Sequence, residues 1–170
     1  MKKDFIIVLG FALMAVLLVS CSSSSEKGGG GSNKTNLTSL SVMDIDGNTH
    51  SFGEYVGQKP LIINFWGTWC PPCKREMPDI KRIYDEYRDR GLEIIGLAVR
   101  STPEQVKAYT SQFGYDWVMW MADANNAKAL GIGSGVPYTV FIDKNGNILN
   151  ETFTGWRTYD DFKRMVEKII

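Results

Sequence analysis

Cysteine is scarce in this chain: Cys21, Cys70 and Cys73 are the only three in 170 residues. Three thiols cannot build the multi-bridge framework of a small secreted scaffold, so an apolar core has to hold the fold together. Histidine is scarcer still, and His50 stands alone in a turn region. Net charge is missing too. The 19 basic side chains match the 19 acidic ones, which removes the electrostatic case for a nucleic-acid partner. The longest apolar run, Phe5 to Val19, falls short of the ~20 residues that a membrane span requires. What the chain does have is ample apolar content, 44% of its residues, enough for one domain with accessories.

The short apolar run follows Lys2 and Lys3 and has the length of a signal-peptide core. It closes on Leu18-Val19-Ser20-Cys21, which resembles a bacterial lipobox. By that resemblance residues 1–20 are a lipoprotein signal peptide and Cys21 becomes a lipidated N-terminus. The competing reading is an uncleaved signal anchor with an incidental cysteine. Both put the remainder outside the cytoplasm, in a cell envelope and tethered to a bacterial membrane. Ser22 to Asn36 carries no apolar residue and no periodicity, so residues 21–36 read as a lipid-anchored flexible linker with a reach of roughly 20 Å.

Order is expected from Leu37 onward. Leu40, Val42 and Ile45 approximate a strand, Asp46-Gly47 a turn, and Thr49 to Phe52 a returning strand. Leu61 to Trp66 is apolar on both faces apart from Asn64, the pattern of a central strand. A helix is predicted from Pro71 to Arg90, with Cys73, Glu76, Met77, Ile80, Ile83, Tyr84 and Tyr87 on one stripe and Gly91 as terminator. Leu92 to Val99 reads as a second buried strand. Thr102-Pro103-Glu104-Gln105 opens a helix with Val106, Tyr109 and Phe113 inward. A strand at Trp117–Met121 and a short helix at Asn125–Leu130 follow. Val136 to Asp143 and Ile148 to Phe153 then form a hairpin around Lys144–Asn147, and Thr158 caps a last helix with Phe162, Met165, Val166 and Ile169 inward. Strands alternating with helices, then a hairpin and a final helix, make a mixed three-layer α/β sandwich.

Chemistry concentrates at Cys70-Pro71-Pro72-Cys73, between the central strand and its helix. Two cysteines at this spacing suit dithiol–disulfide exchange and could close a small ring. The first thiol would lie among helix N–H groups that lack intrahelical partners, where comparable thiols reach pKa values of roughly 3.5–7.5. Pro71 and Pro72 fit because the first turn has no use for their N–H groups. Cys70 is then the exposed nucleophile, and Cys73, one turn in on the apolar stripe, the shielded resolving thiol. An inert structural pair and half a zinc site share this spacing, although zinc needs two further ligands. Glu76, three residues after Cys73, interrupts the apolar stripe. A desolvated carboxylate there would have a raised pKa and could exchange protons with the thiols, whereas a solvated one would merely complement the helix dipole. Trp69 and Trp66 flank the motif as an apolar platform, Trp66 serving equally well as core.

The run Phe65-Trp66-Gly67-Thr68-Trp69-Cys70-Pro71-Pro72-Cys73-Lys74, with Glu76 and Val136-Pro137, resembles the thioredoxin superfamily and, within it, the TlpA/ResA-like branch of thiol–disulfide oxidoreductases. The resemblance extends over about residues 38–170. It implies a thioredoxin-like three-layer sandwich for residues 37–170, with an N-terminal β-hairpin and an inserted αβ unit near 103–121. It further implies a Cys70–Cys73 disulfide, a thiol-tuning role for Glu76, and a cis Pro137 against the dithiol. In that arrangement the Val136 backbone meets an extended substrate, with Trp69, Pro71 and Pro72 completing the contact surface. Asn64 stands where ordinary thioredoxins carry a buried acid, and it cannot ionise, which shifts proton handling to Glu76. The implied partners are protein thiol or disulfide substrates, apocytochrome c being one example, and a membrane-embedded dithiol donor. Neither a small-molecule cofactor nor a metal is implied. Two rivals are a peroxiredoxin-like peroxidase and a non-catalytic chaperone or binding module of the same fold. The first needs Thr-x-x-Cys, and Thr68 lies only two residues before Cys70.

Overall fold

Runs that are apolar on both faces become the middle of the sheet. The computed structural model describes residues 37–133 and 135–170; the expected signal peptide, Cys21 and the expected linker lie outside them. Among the described residues there are seven strands: β1 Ser41–Asp44, β2 Thr49–Ser51, β3 Leu61–Trp66, β4 Glu93–Ala98, β5 Val118–Met121, β6 Tyr138–Ile142 and β7 Phe153–Thr154. The helices are α1 Pro71–Tyr87, α2 Pro103–Phe113, α3 Ala124–Ala129 and α4 Tyr159–Ile169. All seven strands join one sheet in the order β2-β1-β5-β4-β3-β6-β7. β3, β4 and β5 run parallel, while β6 lies antiparallel to β3 and pairs Thr139 opposite Asn64. Every residue of β3 and of β4 is buried, as a sheet covered on both faces requires.

The crossovers β3–α1–β4 and β4–α2–β5 advance in the same direction, so a single hand of connection puts both helices on one face. That face packs Ile62, Trp66 and Ile94 against Met77, Ile80 and Ile83 of α1, Val106 of α2, and Phe162 and Met165 of α4. The opposite face buries Ile63, Phe65, Ile95 and Leu97 under Phe52, Trp120 and Leu130, with α3 and the segment after Leu37 as cover. The expected mixed sandwich is present, with an unequal third layer.

Local signals set the ends. Thr102 with Gln105 and Thr158 with Asp161 form capping boxes, as does Asp123 with Asn126 ahead of α3. One turn chemistry is used twice: Asp44 Oδ1 accepts the N–H groups of Asp46 and Asn48, and Asp143 Oδ1 those of Asn145 and Asn147. α1 stops at Tyr87, and a 3-10 turn carries the chain to Arg90 before Gly91 reverses it at φ +95°. Two expectations need correction. Phe113 keeps 50% of its surface exposed, because the aromatic ladder of Tyr109, Tyr115 and Trp117 occupies the inner positions and leaves it at the edge. The strand predicted from Ile148 to Phe153 shrinks to a single bridge at Ile148 and the two residues of β7.

Gly96, in the middle of β4, is where packing leaves no room. A Cβ there would come within 2.7 Å of Met119 Sδ, 3.1 Å of Trp66 Nε1 and 3.3 Å of Trp117 Nε1. Gly96→Ala should lower the urea unfolding free energy by about 1–3 kcal/mol through overpacking; an unchanged midpoint would mean that the two indoles shift freely.

Candidate active site

β3 ends at Trp66 and the chain enters α1 after three further residues and Cys70. That short link forces Cys70 into the N-cap position. Its backbone N–H donates to Gly67 O at 3.0 Å, and its own carbonyl accepts from Lys74 N at 3.1 Å. Where serine or aspartate would place an oxygen, Cys70 places sulfur: the Cys73 N–H points at Cys70 Sγ from 3.3 Å. Pro71 and Pro72 occupy the first helical positions, where no donor is lost. Cys70 and Cys73 are joined as a disulfide with their Cα atoms 5.3 Å apart.

Cys73 is fully buried, as expected of the inner sulfur, but Cys70 is not the exposed group anticipated: only 2% of its surface is open. The cover comes from far along the chain. The Val136–Pro137 peptide is cis, Pro137 is buried, and the Val136 carbonyl oxygen lies 3.7 Å from Cys70 Sγ. Trp69, by contrast, keeps 45% of its surface exposed; its Nε1 donates to Val99 O at 2.9 Å, so the indole lies fixed across Gly67. Trp66 is wholly core.

Glu76, one turn past Cys73, is a buried carboxyl group with 1% of its surface exposed. Its Oε1 accepts from Asn64 Nδ2 at 3.0 Å and its Oε2 from the Arg157 backbone N–H at 3.2 Å. Asn64 spends its other amide hydrogen on Thr139 Oγ1, also at 3.0 Å. Burial pushes the carboxyl up to about 7, against the opposing pull of those two donors. Neither Thr139 nor Arg157 was visible as a site residue in the sequence: the first enters through strand register, the second through a main-chain atom. His50, left without a role, bridges Asp44 at 3.0 Å and Glu54 at 3.1 Å and stacks on Trp120, away from the disulfide. Among the described residues no group of three or more His, Cys, Asp or Glu side chains is placed to hold a metal.

A Cys-x-x-Cys disulfide at a helix start, packed under a cis X–Pro peptide at the centre of a mixed sheet, defines a thioredoxin-fold redox protein. The chain belongs to the Redoxin family, whose model matches residues 32–164, and it is a thiol–disulfide oxidoreductase of ResA-like type. It is 35% identical over 127 residues to the thiol-disulfide oxidoreductase ResA of Geobacillus thermodenitrificans, an alignment covering 74% of this chain and 71% of the relative. The ResA of Bacillus thuringiensis strain Al Hakam is 34% identical over 130 residues, covering 75% and 73%. Among solved structures, a thiol:disulfide interchange protein of the thioredoxin family from Chlorobium tepidum superposes with a TM-score of 0.68 at 32% identity, covering 76% of this chain and 92% of that one.

Glu76 makes stability depend on pH in an unusual direction. Between its unfolded value near 4.5 and its folded value of about 7, the native state keeps a proton that the unfolded chain has released. Stability therefore falls as pH rises through that window, by about 3 kcal/mol in all. Glu76→Gln should remove this drift. Urea unfolding from pH 4 to 9 should give a wild-type-minus-variant difference that declines until about pH 7 and is flat above it. A flat difference throughout would mean that the carboxylate is solvated.

Proposed function

We propose that this protein is a lipid-anchored, extracytoplasmic reductant that hands electrons from a membrane-embedded dithiol carrier to disulfides in protein substrates, of which apocytochrome c is one example. The observation that carries the reading is the alignment of the Cys73 N–H on Cys70 Sγ at a helix N-terminus, above a carboxyl group that is half protonated near neutrality. Support for the membrane side comes from the lipobox-like Leu18-Val19-Ser20-Cys21 and the apolar run before it. Support for the exchange chemistry comes from the likeness to proteins named thiol-disulfide oxidoreductase ResA, and the direction follows from the membrane-embedded dithiol donor that the family resemblance implies.

In the reduced protein the helix N–H groups and dipole favour Cys70 as thiolate. It attacks one sulfur of the substrate disulfide, forming a mixed disulfide and expelling a substrate thiolate, which takes up a proton. Cys73, shielded until then, loses its proton, with Glu76 on the same helix face as acceptor, and attacks Cys70 Sγ. The substrate's second thiolate leaves and the Cys70–Cys73 disulfide is restored. Two electrons have passed to the substrate, and the membrane carrier returns them. Val136 and Pro137 offer the substrate segment a main-chain edge beside Cys70, with Pro137 lacking an N–H that would compete. Trp69, Pro71 and Pro72 form the apolar remainder of that contact.

Equilibration of the Cys70/Cys73 couple with a thiol redox buffer, followed by Trp fluorescence, tests the direction. A potential near or below about −270 mV is expected of a reductant; a value near about −120 mV would make the protein a disulfide donor. Cys73→Ser should accumulate the mixed disulfide through Cys70 on non-reducing gels, and Cys70→Ser should not. Accumulation by neither variant would overturn the exchange order.

A further inference from the structure

The basic side chains of the described surface fall into ion-paired and unpaired groups. Lys81 with Asp85, Lys163 with Glu86, and Arg164 and Lys168 with Glu151 meet carboxylates, whereas Arg90, Lys128 and Lys144 form no ion pair among the described residues. At the disulfide, Lys74, Arg75 and Arg100 form no ion pair among the described residues. Each lies over an aromatic ring instead: Lys74 Nζ is 5.0 Å from the centroid of Tyr109, Arg75 4.2 Å from Trp156, and Arg100 4.4 Å from Trp69. Acidic groups near them in sequence are engaged otherwise. Asp79 pairs with Arg82, Glu104 is held by Thr102 and Lys107, and Glu76 is buried.

Arg100 is the most telling of the three. It is the one non-glycine residue with positive φ among the described residues, at +46°, a conformation that side-chain-bearing residues seldom adopt. Strain of that kind persists where the surrounding structure imposes it, and it points toward function. Here it brings a guanidinium over the exposed indole next to Cys70. The indole itself is immobilised, because Nε1 is bonded to Val99 O and its ring fills the space where a Cβ on Gly67 would come within 2.6 Å. Between Thr68, Trp69, Arg100 and Gln105 a groove of ≈ 370 Å³ opens. Lys74 and Arg75 occupy successive positions just after Cys73 and splay apart, one toward α2 and the other toward the loop before α4.

We propose that this rim selects substrate proteins whose reacting disulfide is flanked by aspartate or glutamate, with Arg100 on Trp69 as the principal contact and Lys74 and Arg75 as the flanking ones. The inference rests on the oxidoreductase reading and adds a substrate class to it. A guanidinium stacked on an indole retains its in-plane N–H donors, which suit a carboxylate. Unpaired cations at a contact rim raise the association rate of an acidic partner and are screened by salt.

The full-length chain in mild detergent, reduced and freed of reductant, can be mixed with three disulfides: a peptide with glutamates beside its cysteines, the same peptide with lysines, and neutral hydroxyethyl disulfide. Rates are read by stopped-flow Trp fluorescence and divided by each compound's rate with dithiothreitol, which removes intrinsic reactivity. The acidic peptide should react about tenfold faster than the basic one at low salt, the ratio shrinking toward one at about 0.5 M salt. Arg100→Glu should collapse or invert the ratio. Arg75→Glu, on the exposed face of α1, should reduce it independently, so a folding defect in the first variant does not decide the matter. Equal rates for the two peptides, a preference for lysine, or a ratio untouched by both variants overturns the proposal while leaving the oxidoreductase reading intact. Failure to react even with the neutral disulfide overturns that reading and this inference with it.

Discussion

A helix must satisfy the N–H groups of its first turn, and here the acceptor is a sulfur. The Cys73 N–H aimed at Cys70 Sγ is one hydrogen bond, yet much of the molecule is arranged to make it possible. β3 has to end within a few residues of α1, so β3 must be central and α1 must pack directly over it. That in turn requires a strand buried on both faces and a helix with an apolar stripe, and both are written into residues 61–87. The same geometry gives the sulfur its chemistry, since the donors that cap the helix would also stabilise a thiolate.

Beneath the sulfurs the apolar stripe is broken once, by Glu76, and the break is handled by three separated parts of the chain. Asn64 of β3 and the main chain at Arg157 supply donors, and Thr139 of β6 holds Asn64 in place. A buried carboxyl with two donors is less costly than one with none, but its desolvation is not fully offset, which is why it titrates near neutrality. The network also ties α1 to β3, β6 and the loop before α4, so this carboxyl group is anchored to the same elements that hold the disulfide and the cis-proline.

Most of the fold could be read along the chain because its signals are local. Double-sided apolar runs at 61–66 and 92–99 marked the central strands, Thr102 and Thr158 marked helix starts, and the turns at Asp46-Gly47 and Lys144–Asn147 announced both hairpins. Readings failed where a neighbour distant in sequence decided the outcome. Phe113 had helical spacing for the core, but Tyr109, Tyr115 and Trp117 filled that space first. The second hairpin had strand-forming residues after its turn, yet only Ile148, Phe153 and Thr154 found a place in the ladder.

Local pattern was enough to place two cysteines at a helix start, the order of the secondary elements and the apolar stripe that carries Glu76, because each depends on residues within one or two turns of one another, and the family resemblance added the redox reading of the pair. Tertiary packing decided how far each reacting group sees water. Cys70 is covered by Val136–Pro137, 66 residues away, and Glu76 draws its donors from residues 12 before and 81 after it. Solvent access and hydrogen-bond supply are properties of the assembled neighbourhood, and no local pattern encodes them. The strained backbone of Arg100, whose guanidinium lies over the Trp69 ring, belongs to the same class: its residue type is legible, its position only in three dimensions.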